Sequence, residues 1–284
     1  MKLPPFEYAS PTSAAEAVAL LAAHGGEAKP LAGGQSLVPM LAFRVTSPAL
    51  LVDLRKIPEL RQIAVGESSV TLGAMTRWRD ILEHKELRAV QPLLVEAVEH
   101  VAHYQIRNRG TVGGSLAHAD PAAELPGIAV TCDAEIAVLG KSGARTIKAA
   151  DFFQGPLITA LNPDEIVTAL RLPLWPEGRR FGFREFARRR GDFALAAAAV
   201  FYDEEGGKVR NAHVGAIGVA DRPLRLIAVE EVLNGRSIDD ATIAAAEKAA
   251  AASVDPPDDI HAGGAYRKKL LGVMVERALR AAAA

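Results

Sequence analysis

Two prolines and a glycine fall within seven residues at Leu172-Pro173-Leu174-Trp175-Pro176-Glu177-Gly178, and this stretch constrains the fold more than any other. Proline supplies no amide hydrogen, and the residue before it is pushed out of the helical region. Neither a helix nor a central strand runs through such a segment, so it reads as a linker between two units. Before it the pattern changes again. The first ~55 residues alternate helix and strand, as small α/β layers do, whereas hairpin signatures dominate from about Leu60. The expected divisions are residues 1–55, 56–176 and 177–284.

Within the first unit, Ser13-x-x-Glu16 after Pro11 predicts a capped helix that Gly25-Gly26 stop. Strands are expected at Lys29–Ala32 and Ala49–Leu54, with a brief helix at Leu37–Phe43 between them. In the second unit, Arg61–Val65 with Val70–Leu72, and Glu135–Leu139 with Arg145–Lys148, read as hairpins. Thr76 is placed to cap a helix through Leu82. Pro92–His100 makes another helix, and Asp120-Pro121 an N-terminus for one ending near Thr131. Ile166–Leu172 reads as a last strand. Beyond the linker, strands are expected at Phe183–Ala187, Ala196–Tyr202 and Val209–Val219, turning at Glu204–Gly207. Helices follow at Leu226–Leu233, after a Ser237 cap, and from about Gly264.

Composition narrows the function. The 33 Lys+Arg nearly balance the 34 Asp+Glu, a net charge of −1, so nothing pulls the chain generally toward nucleic acid or a membrane surface. The longest apolar run, Phe193–Tyr202, is about half of the roughly 20 residues a membrane helix needs. The single cysteine, Cys132, excludes an internal disulfide, a Cys-rich zinc site and an iron–sulfur cluster held by this chain alone. Met1-Lys2-Leu3-Pro4-Pro5 has no apolar h-region behind it, so a cytoplasmic location is expected.

A short pattern occurs twice, as Ala32-Gly33-Gly34-Gln35-Ser36 and Thr111-Val112-Gly113-Gly114-Ser115. Each Gly-Gly pair is closely followed by a hydroxyl. Glycine lets the backbone turn through positive φ and brings a ligand against bare N–H groups, which together make an anion nest. Two nests from two subdomains suit a diphosphate clamped between them; tight turns alone are the other reading. Neither loop is the G-x-G-x-x-G of a Rossmann domain, and there is no G-x-x-x-x-G-K-[ST] of a P-loop.

Read through, AGGQSLVPML at Ala32–Leu41 and QIRNRGTVGGSLAHADPAAELP at Gln105–Pro126 resemble the FAD-binding medium subunit of the molybdenum hydroxylases. The likeness extends to Phe6-Glu7-Tyr8, to Arg188-Arg189-Arg190-Gly191-Asp192-Phe193-Ala194 and to Tyr266-Arg267-Lys268, and so covers essentially the whole chain. It implies an α+β fold: a two-subdomain FAD-binding part, small α/β then mixed or antiparallel sheet, followed by a C-terminal domain of antiparallel sheet with helices. By the same resemblance, Ala32–Ser36 and Thr111–Ser115 hold the FAD pyrophosphate, and Glu124 contacts the cofactor. The Ile166–Val167 region edges the flavin or adenine pocket. Asp192-Phe193 stands where relatives often place Asp-Tyr against the isoalloxazine ring; phenylalanine keeps the stacking face and loses the hydroxyl. The resemblance also implies partners: a small subunit with [2Fe–2S] clusters and a large subunit with a molybdopterin-type molybdenum cofactor, an assembly compatible with a dimer of heterotrimers.

Other residues carry bland and functional readings together. Arg184 and Arg188–Arg190 form either a solvated cationic face or cations near the flavin that favour its reduced form. His118 and Asp120, beside the second loop, either touch the cofactor or bond locally. His100-x-x-His103 lacks a third ligand in register, so no metal is expected. No side chain need act as a general acid or base. Two other functions remain open: a self-sufficient FAD oxidase, for which the part after Glu177 is small, and a colourless nucleotide-binding module.

Overall fold

The structure, a computed structural model, describes residues 2–284. The N-terminal part holds β1 (Glu7–Ala9), α1 (Ala14–Ala23), β2 (Ala28–Leu31), α2 (Leu37–Ala42) and β3 (Leu50–Asp53). Its strands are parallel in the order β1-β3-β2. Ser13 caps α1 by accepting from the Glu16 amide at 3.2 Å, while the Glu16 carboxylate accepts from Thr12 rather than from Ser13. Gly25 and Gly26 end the helix at φ +55° and +96°, a region L-residues avoid.

The next part contains β4 (Ile63–Val65), β5 (Ser69–Gly73), α3 (Trp78–Glu83), α4 (Leu87–Val90), α5 (Pro92–His100), α6 (Tyr104–Arg107), α7 (Val112–His118) and α8 (Glu124–Thr131). It continues through β6 (Glu135–Gly140), β7 (Gly143–Lys148), α9 (Ala149–Phe152), the pair β8 (Phe153–Gly155) and β9 (Ile158–Thr159), and β10 (Ile166–Pro173). Its five-stranded antiparallel sheet runs β4-β5-β10-β6-β7. Two expected helix starts are corrected. Thr76 does not cap α3: Arg77 does, its amide donating to Asp80, while the Thr76 carbonyl accepts instead from Val112. Asp120 closes a local turn onto the Ala122 amide at 2.9 Å, so α8 begins only at Glu124.

Beyond the linker lie β11 (Arg180–Phe186), β12 (Ala196–Glu205), β13 (Lys208–Ile217), β14 (Leu224–Arg225), α10 (Ile227–Leu233), α11 (Asp240–Ala252) and α12 (Gly264–Ala283). The strands form an antiparallel sheet in sequence order. The β12–β13 hairpin turns through Gly206-Gly207, both at positive φ as a tight two-residue turn demands. The cap of α11 is Asp239, accepting from Thr242, and not Ser237.

The apolar run read from the sequence is the centre of this sheet. Ala197, Ala199 and Phe201 of β12 enter the core shared with α5, α8 and the five-stranded sheet, whereas Ala196, Ala198, Val200 and Tyr202 enter the core under α10–α12. A strand buried on both faces needs apolar residues at every position, and alanine lets both layers approach. The C-terminal sheet therefore shares a continuous core with the preceding part. The linker is packed as well: Trp175 lies against Phe181 and Phe201 with ring centroids 5.9 and 5.0 Å away. The Arg179 guanidinium stacks over Trp175 and Phe201 while forking onto Asp203 at 2.8 and 2.9 Å.

Candidate functional site

The two Gly-Gly loops meet. The first follows β2, and the second opens α7 and is pinned from behind by the turn between β5 and α3. Val112 and Gly113 donate to the carbonyls of Thr76 and Ala74 at 2.9 and 2.8 Å. A side chain on Gly33 would collide with the backbone of Arg109 and Gly110. One on Gly114 would stand 2.8 Å from Thr111 Oγ1 and 3.6 Å from the Ala32 Cβ. The absent side chains are thus what brings the loops into contact.

Their amides are used differently. Gly114 and Ser115 donate to the Thr111 hydroxyl and carbonyl, so all four amides of Val112–Ser115 have partners in the chain. The amides of Gly33, Gly34, Gln35 and Ser36 donate to no acceptor among the described residues. Gly34 turns at φ +74°, and the Gln35 side chain folds back onto the Gly33 carbonyl at 3.1 Å. A row of undonated amides against a second glycine loop fits a diphosphate, so the FAD pyrophosphate suits this cradle. The undonated amides thus lie in the first loop, while the second contributes close approach.

The other expected residues separate into two groups. His118 lies in the last turn of α7, before Ala119 at φ +52° and the Asp120 turn. Asp192 and Phe193 lie in the loop from β11 to β12. A Cβ on Gly191 there would meet the Ala102 carbonyl at 2.7 Å, which seats that loop on the segment leading into Gln105–Gly110. Phe193 is 56% exposed, an aromatic face outside the core. Gly218, at the end of β13, donates to Pro121 at 3.0 Å, closing the C-terminal sheet onto the Asp120 segment.

Two residues have partners within the protein. Ile166 is buried in the N-terminal core, against which Ala32 of the first loop also packs, and Val167 is buried in the next one. Arg184 pairs with Glu96 at 2.9 Å, tying β11 to α5.

Glu124 is buried, and burial, with Asp120 adding, pushes its carboxyl up to about 7. Glu185, which the sequence did not single out, faces the same interface with a side chain 4% exposed and one unpartnered oxygen. Burial, then the charge of Glu124, pushes it up to about 8. Alternation along β11 signals an inward side chain at 185, but not what it meets. His100, 4.0 Å from Glu185, is held below the usual imidazole range by its own burial and by Arg190. Cys132 is buried, which pushes its thiol up to about 12 and leaves it a small core residue.

Undonated amides in a glycine loop, an exposed aromatic and a third, helix-backed sheet occur in a chain whose two parts match the flavoprotein of the molybdopterin dehydrogenase class. The model of the FAD binding domain in molybdopterin dehydrogenase matches residues 4–175, and that of the CO dehydrogenase flavoprotein C-terminal domain matches residues 181–282. The chain belongs to the family of FAD-binding medium subunits of the molybdenum hydroxylases. It is 39% identical over 281 residues to the 6-hydroxypseudooxynicotine dehydrogenase complex subunit alpha of Paenarthrobacter nicotinovorans, covering 98% of this chain and 95% of the relative. Carbon monoxide dehydrogenase from Hydrogenophaga pseudoflava matches with a TM-score of 0.97 at 39% identity, over 99% of this chain and 98% of that one. Quinoline 2-oxidoreductase from Pseudomonas putida 86 matches at 0.96 and 36%, over 100% and 98%. The family is one of FAD-binding oxidoreductase subunits. No helix among the described residues is long and apolar enough to cross a membrane.

Proposed function

We propose that this chain is the electron-exit subunit of a cytoplasmic molybdenum hydroxylase. A large partner subunit oxidises the substrate at a molybdopterin-type molybdenum centre, a small one carries [2Fe–2S] clusters, and this chain delivers the electrons to an external acceptor. Bound FAD supplies the redox chemistry, which no side chain of this protein replaces. The observation that carries the reading is the near-complete match to medium chains of such dehydrogenases, in a chain whose single cysteine leaves clusters to another subunit.

In this reading residues 1–55 and 56–176 are the two FAD-binding subdomains and residues 177–284 the C-terminal domain. The amides of Gly33–Ser36 bind the pyrophosphate, and Ala32 and Thr111–Ser115 shape the opposite wall. Phe193 covers the isoalloxazine ring, with Asp192, His118, Asp120 and Glu124 around it. The chain's part is to bind and orient the cofactor and to keep one ring face against protein.

The test is anaerobic flavin reduction by candidate substrates, with and without the two partner subunits. The expected result is a yellow chain that stays oxidised alone and is reduced once the partners are added. Rapid reduction of the chain alone by a heterocycle, an aldehyde or carbon monoxide would instead make it a self-sufficient oxidase.

A further inference from the structure

Arg267 lies in the first turn of α12 and is only 6% exposed. A buried guanidinium keeps its charge and carries five donors in a rigid fork, so it is retained only where acceptors converge on it. Here one terminal nitrogen, Nη1, donates to two carbonyls, Leu195 at 2.8 Å and Gly218 at 2.9 Å. The other, Nη2, reaches Asp259 Oδ2 at 2.6 Å. Asp259 is itself fixed by accepting from the amides of His261 and Ala262.

Both carbonyls sit at points that govern the site. The Leu195 amide donates to Phe186 at 2.8 Å, so Leu195 closes the base of the loop that carries Arg188–Arg190, Asp192 and Phe193. Gly218 donates its amide to Pro121, beside Asp120. Its φ of +76° and the Ala194 carbonyl, 2.7 Å from where a Cβ would stand, leave no room for a side chain there. One guanidinium therefore joins the base of the Phe193 loop to the residue that makes the Pro121 contact.

We propose that Arg267 is a positioning residue of the flavin site, setting where Phe193 stands relative to the Asp120–Glu124 segment. This rests on the reading that Phe193 covers the flavin. Removing the guanidinium leaves two carbonyls without their donor and frees the loop base, so the aromatic face wanders.

The test uses the full chain loaded with FAD and four variants. In Arg267→Met, the visible circular dichroism of the bound flavin and its reduction potential shift. FAD dissociation constants rise about tenfold, the lower range for a hydrogen bond to a charged group. Arg267→Lys, which keeps the charge and single-point donation, recovers part of the change. Asp259→Asn loosens only the outer anchor and moves the same signals less, and it decides the matter if Arg267→Met does not fold. A lowered melting temperature with unchanged flavin dichroism, potential and affinity makes Arg267 a scaffold residue and overturns the proposal. Phe193→Ala tells the two failures apart. A shift there with none in the Arg267 variants removes Arg267 alone, and silence from all of them removes Phe193 from the site and the Arg267 role with it.

Discussion

The backbone carbonyl of Arg109 occupies the space that a side chain on Gly33 would need. The first glycine of one loop is thus required by the approach of the segment leading into the other loop, 76 residues further along the chain. Gly33→Ala is expected to push the loops apart and weaken FAD by at least about tenfold. Fluorescence titration with FAD measures it, and wild-type affinity in a folded Gly33→Ala chain would remove the pyrophosphate from this cradle.

Phe193→Ala is expected to leave stability within about 0.5 kcal/mol of wild type, because an exposed side chain contributes little to the core. The flavin absorption bands and reduction potential shift. A stability loss with an unchanged spectrum is the opposite pattern and would assign Phe193 to packing.

Stability is expected to fall as pH rises through about 7 and then about 8. Glu124 and Glu185 bind their protons more tightly folded than unfolded, because burial penalises the charged form. Such groups lend their full stability below the unfolded carboxyl range, and it is lost as pH climbs through the folded values. Glu185→Gln keeps the neutral shape, so it flattens the slope and gains about 1–2 kcal/mol at high pH. Denaturant melts across the neutral range decide this; an unaltered slope in Glu185→Gln would locate the effect elsewhere.

Trp175→Ala is expected to cost about 2 kcal/mol, since it empties the space against Phe181 and Phe201 and removes a stacking face from Arg179. The readout is the urea midpoint of the whole chain. No change would mean that the linker only tethers its two sides.

Much of the architecture was legible in the residues. The helix at Pro92–His100 and the one from Gly264 were expected where they occur, because proline and glycine punctuate the chain locally. The hairpins at Ile63–Gly73 and Glu135–Lys148 were legible for the same reason. Helix starts at Thr76, Asp120 and Ser237 were misplaced. A hydroxyl or carboxylate signals that it can cap, but not that a backbone partner or a nearer acid takes the position first. Of the candidate site, the glycine loops and Phe193 come from the motifs, whereas Glu185 does not, since alternation along β11 turns it inward without saying what it meets.

The sequence alone determined the local breaks, the glycine pairs and the limit that one cysteine places on redox centres. These depend on φ/ψ preference and on composition, which act within a few residues. Only the tertiary structure decided which amides stay free, since Val112–Ser115 spend theirs on Thr76, Ala74 and Thr111 while Gly33–Ser36 do not. It alone turned Ile166 inward, paired Arg184 with Glu96 and buried Glu124 and Glu185 at one interface. Burial and pairing are properties of segments brought together from far apart in the chain, and no local propensity encodes the partner.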